Sequence, residues 1–163
     1  MNYLYFVSIM KSTSQLLNEL ASNIPFANKI DPSISASSVG WHIDHNVMVI
    51  NQIAGAVKAS DPKAYQWSFN MKRLVVFTTG KIPRGKAKAP KSVIPENAFD
   101  ENDVREKMEK ANQQLAMLNE LPSNHFFIHP FFGHLNVKNT KKMIALHTDH
   151  HLAIIKDIVA SSK

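Results

Sequence analysis

Apolar residues along this chain recur mostly three and four positions apart, a spacing that predicts helices rather than strands. Five segments carry it. The first runs from Tyr3 or Met10 to Ala21, with Met10, Leu16, Leu17 and Leu20 on one side. The second begins at Ser37 or Ser38, whose hydroxyls suit a helix N-cap, and continues to about Ala59. A third spans Lys63 to Thr79, entered through Asp61-Pro62 and closed by Gly80. The fourth opens at Asp100, with Asp103 three residues on in the manner of a capping box. Its Val104, Met108, Ala111, Leu115 and Leu118 alternate by four and three until Pro122 stops the helix. The last runs from about Asn139 to Ala160. No strand ladder is evident, and PSNHFFIHPFFGHLN reads as an irregular cover over one end. The pattern predicts an all-α fold, an antiparallel helical bundle, with residues 1–163 forming a single domain.

Composition narrows the chemistry. The 163 residues are 44% hydrophobic and 20% charged, a globular balance. No apolar run approaches the roughly 20 residues that span a bilayer. The apolar opening MNYLYFVSIM lacks a basic leader and a small-residue cleavage site, so it reads as the start of the first helix. A membrane partner is therefore not expected and a cytoplasmic location is. Cysteine is absent, which removes thiolate ligands and any thiol nucleophile of the chain's own. Any metal must then be held by His, Asp or Glu.

The net charge of +6 favours anionic partners, with nucleic acid the first to weigh. Much of the excess lies in KIPRGKAKAPK, Lys81 to Lys91, where no aromatic residue offers a stacking platform for bases. That disfavours nucleic acid. A solvated loop is the plain reading, and a loop guiding an anionic small-molecule substrate is the functional one.

Of eight histidines, His147 and His151 stand out, one turn apart in MIALHTDHHLAII. They share a helix face with Ile144, Ile154, Ile155 and Ile158. A buried imidazole nitrogen without a partner costs on the order of 1–3 kcal/mol, so two on one apolar stripe call for a common partner. A divalent metal is the simplest. A third ligand must come from another helix, and WHIDHNVMVI supplies either His45, in line with Val49 and Ile53, or His42. Three neutral imidazoles leave a coordination position open, as catalytic sites do. Asp44 and Asp149 are candidates to orient the rings. His150 points away from the stripe, and His125, His129 and His134 read as loop residues or as the mouth of the site.

Two blocks carry a resemblance. SSVGWHIDH, Ser37 to His45, and FFIHPFFGHLNVKNTKKMIALHTDHHLAII, Phe126 to Ile155, resemble the DinB/YfiT-like family of metal-dependent enzymes. The second block is similar to a branch that pairs a His-Pro-x-Phe-Gly loop with a final H-x-x-H-H-L helix. The resemblance implies a four-helix bundle, here with an additional helix and a long basic loop. It implies His45, His147 and His151 as metal ligands, preferring His45 over His42. Zinc or nickel would suit such a site, and manganese or iron would also accept imidazoles. Relatives of this kind include thiol-dependent transferases and isomerases; an open position that activates water or a thiol makes the expected activity a hydrolase, or an S-transferase using a low-molecular-weight thiol, with His129 and His134 shaping the pocket as catalytic residues. Lys81 and Arg84, with Lys86 and Lys88, would bind carboxylates of the thiol or substrate. The competing expectation is a non-enzymatic metal-binding or stress-response protein on the same bundle. A homodimer is an arrangement open to either.

Overall fold

The computed structural model describes residues 12–85 and 89–161. Five helices and one small hairpin make up the fold: α1 Thr13–Ser22, α2 Val39–Ala59, α3 Met71–Thr79, α4 Glu101–Glu120, strands β1 Phe126–His129 and β2 Gly133–Asn136, and α5 Val137–Ser161. Helix starts are set by side chains that take up free backbone donors. Ser12 and Gln15 form a reciprocal capping box on α1. Ser38 Oγ accepts from Trp41 N at 3.2 Å, and Asp100 Oδ1 from Asp103 N at 2.9 Å. Gly80 closes α3 in the left-handed region at φ 68°.

Helices α1, α2, α4 and α5 pack around one apolar core. Leu20, Ile43, Ile50, Val57, Val104, Leu118, Ile155 and Ile158 are fully enclosed in it. The α2 and α5 helices run antiparallel. The α2 and α4 helices run the same way, contrary to the expected alternation. Gly40 at the start of α2 meets Phe99 just before α4, and Ser60 beyond α2 meets His125 just past α4. The long crossover between residues 60 and 100 makes this direction attainable. Gly40 is there because of that approach: a Cβ would lie 2.7 Å from Phe99 Cδ2. Gly40→Ala is expected to destabilise the fold by about 1–3 kcal/mol through overpacking, read from urea midpoints.

Two sequence expectations are corrected. The helix expected over Lys63–Thr79 starts only at Met71, after a 3-10 turn at Pro62–Ala64 and an extended stretch. Asn70 takes the N-cap, with its Oδ1 accepting from Arg73 N at 2.9 Å. Arg73, buried, donates to the carbonyls of Ser68, Phe132 and His134, so the stretch before α3 is tied to the hairpin. The segment read as irregular, with no strand, is the antiparallel hairpin β1–β2, in register Phe126 to Asn136 and His129 to Gly133. Gly133, at φ 69°, makes its turn possible. The fold is thus mainly helical rather than all-α. The expected start of the first helix, at Tyr3 or Met10, lies outside the described residues. Within them, no helix is long and apolar enough to cross a membrane.

Candidate metal centre

The α2 and α5 helices each present two histidines to the seam between them. On α2 these are His42 and His45, 3% exposed each; on α5 they are His147, half-buried, and His151, 9% exposed. The rings of His45, His147 and His151 form a triangle, with centroids 5.3 Å (45–147), 4.9 Å (45–151) and 4.6 Å (147–151) apart. One nitrogen from each lies within 4.8 Å of the others. These three could hold a metal ion.

Whether the residues fit an ion is decided by their nitrogens. His45 Nδ1 lies 2.7 Å from the carbonyl of Val93. A carbonyl only accepts, so Nδ1 carries the proton and Nε2 keeps a free lone pair. His147 Nδ1 is buried with no hydrogen-bond partner. His151 Nδ1 lies 2.9 Å from His42 Nδ1, and His42 Nε2 lies 3.0 Å from Ser35 Oγ. All four rings resist protonation. Burial holds His147 down at about 3 and His42 at about 4, and the other imidazoles nearby add repulsion. His151 is pushed far down by the same causes. Burial also lowers His45, opposed by the Val93 carbonyl and by Asp44. At neutral pH the cluster is uncharged, the form that ligates. The donor set therefore fits a divalent ion that accepts imidazoles.

The surroundings hold the rings in place. Trp41 stacks on His45 at 4.9 Å with an interplanar angle of 11°. The described residues of the basic stretch are mostly exposed, but just beyond it the chain comes in against the cluster: Val93 is 3% exposed, and Ser92 pairs with Gln52 at 2.9 Å. A backbone hydrogen bond to Ile82 draws His150 toward that basic stretch. No carboxylate reaches the cluster through the positions the sequence suggested. Asp44 is paired with Lys107 at 2.8 Å, and Asp149 is exposed.

The remaining expected residues are dispersed. His129 lies close enough for its charge to disfavour that of His147. Its Nδ1 accepts from the backbone N–H groups of Phe131 and Phe132, at 3.1 and 3.2 Å, and its ring stacks on Phe132 at 4.3 Å. His134 pairs across from Ile128, so it lies on the opposite face of the hairpin from His129 and packs against Phe126 and Tyr65. His125 ties the end of α2 through Val57 O and Ser60 Oγ. Arg84 forms an ion pair with Asp157 at 2.8 Å, its charge felt at His42 and His150. Lys81 is exposed. Lys86 and Lys88 lie outside the described residues.

Over residues 66–157 the chain matches the family described as a protein of unknown function, DUF1569, which is more than half its length. The chain belongs to the DUF1569 family. That stretch of this DUF1569 protein includes His147 and His151 but not His45. No curated protein and no solved structure matches it.

Three features of the centre escaped the sequence reading: the stack of Trp41, the carbonyl of Val93, and His42 as a partner rather than a rival ligand. The spacing in WHIDH was the available signal, since His42 and His45 three apart share one helix face.

Proposed function

We propose that this protein is a divalent-metal-dependent enzyme on a DinB-like four-helix bundle, with His45, His147 and His151 as ligands. The observation that carries the reading is a triad of neutral, mostly buried imidazoles with no carboxylate among them. Three neutral donors leave an ion its full positive charge and an open position, which favours anionic ligands. A zinc or nickel ion there supplies the Lewis acidity that deprotonates water or a thiol near neutral pH. A hydrolase and a low-molecular-weight-thiol S-transferase are the two reactions this chemistry serves. The thiol must come from outside, because the chain has no cysteine.

The protein's own groups bind and exclude. Trp41 and the strap around Val93 keep water from the buried side of the rings. His129 has its Nδ1 occupied by the turn and is held at about 4 by burial, so it stays neutral at pH 7. With Nδ1 accepting from the turn, its proton lies on Nε2, where it would be a hydrogen-bond donor to a bound anion. Arg84, paired with Asp157 but with its charge felt at His42 and His150, would with the exposed Lys81 help draw an anionic substrate in.

The low exposure of His45 and His151 is the observation that favours the second reading, a closed non-catalytic ion stabilising the bundle. Cobalt(II) loading separates the two. An open position is expected to give visible absorption that changes when a small thiol or azide is added. A cobalt spectrum that no added ligand alters would leave the structural reading in its place.

A further inference from the structure

We propose that His42 is a positioning residue of this centre, holding His151 in the one tautomer that can take an ion; the inference rests on the metal reading above. Two imidazole nitrogens 2.9 Å apart form a hydrogen bond only if one carries a proton and the other does not. Two arrangements satisfy that. In one, His42 carries its proton on Nε2 and donates it to Ser35 Oγ, and its bare Nδ1 accepts from His151 Nδ1–H. Nε2 of His151 is then a free lone pair. In the other, His42 Nδ1–H donates to His151 Nδ1, His151 carries its proton on Nε2, and that nitrogen is closed to a metal.

Ser35 can serve either arrangement, as acceptor in the first and as O–H donor in the second, but only the first leaves Nε2 of His151 open to an ion. Its Oγ already receives the Ser37 N–H at 3.1 Å and has a second lone pair for His42. The His42 ring has little freedom to move elsewhere. It is 3% exposed, and its own carbonyl is gripped by Asn46 Nδ2 at 2.8 Å. The line Ser35–His42–His151 can do for His151 what the Val93 carbonyl does for His45: once an ion takes Nε2 of His151, its proton lies on Nδ1 and the bare Nδ1 of His42 accepts it. Outer partners of this kind commonly include carboxylates. An imidazole in that place orients the ligand without adding negative charge, which preserves the electrophilicity of the ion.

The test is zinc affinity by competition with a chromophoric chelator at pH 7.5, with metal-free melting curves alongside. His42→Phe fills the space and removes the acceptor; affinity is expected to fall about 10–100-fold. His42→Asn places a carbonyl oxygen near the Nδ1 position and is expected to recover most of that loss. Nitrogen-15 NMR of the zinc-loaded parent gives an answer that needs no variant: His151 should be protonated on Nδ1 and metal-bound through Nε2. Parent-like affinity in His42→Phe, or zinc on Nδ1 of His151, would overturn the role of His42 and leave the metal centre standing. A parent that binds no metal ends both.

Discussion

Leucine at position 147 is expected to abolish metal binding while leaving the metal-free protein at least as stable as the parent. His147 lies in the seam with a buried Nδ1 that has no partner. An unsatisfied buried polar atom costs about 1–3 kcal/mol, and a leucine of similar size removes that cost. Saturating metal reverses the order, since an ion at 1,000 times its dissociation constant stabilises the folded state by about 4 kcal/mol. The parent with zinc should thus be the most stable of four samples. The two His147→Leu samples should be identical to each other, with the metal-free parent at or below them. Urea unfolding with and without zinc reads all four. A clear loss of stability in the metal-free variant would show that His147 is a satisfied structural residue and not a ligand in waiting.

Acid is expected to unfold the metal-free protein with a midpoint near pH 5. His42 and His129 are held at about 4 and His147 at about 3, chiefly by burial, and His151 is lower still. In the unfolded chain each returns to about 6.5. Below that value the unfolded state takes up protons that the folded state refuses, so stability is complete above pH 6.5 and falls as the pH drops toward the folded values. Each group contributes about 1.4 kcal/mol per pH unit, or about 2 kcal/mol at pH 5. Four together reach about 8 kcal/mol, comparable to the whole stability of a domain this size. Circular dichroism in urea between pH 7 and 5 measures the slope, and His147→Leu should lower it by about one proton. Stability that stayed flat over that interval would mean the rings are protonated in the folded state.

What the sequence revealed and what it hid follow the range of each interaction. Ser38, Asp100 and Gly80 mark helix ends through contacts with residues three or four positions away, so their roles were readable from local spacing. The late start of α3 was not, because Arg73 ties the preceding stretch to carbonyls about sixty residues on. The hairpin escaped because its strands have four residues each and no alternation of apolar and polar positions. Pro130 and Gly133 around it were the overlooked signal. The stripe on α5 gave His147 and His151 directly. His45 needed the family resemblance, since His42 has the same burial and a similar place on α2. The basic stretch was readable as a loop from its prolines and charge, and its described residues are mostly exposed. Val93, just beyond it, lies in the core and bonds His45 from 48 residues away.

The central claim is that three histidines of this DUF1569 protein hold one divalent ion. Elemental mass spectrometry tests it most directly, on untagged protein reconstituted with zinc, nickel, manganese or iron and freed of excess. The expected result is one ion per chain in the parent and background levels in His45→Ala, His147→Ala and His151→Ala, each checked for folding. A parent that retains none of these metals, or variants that retain as much as the parent, would contradict it.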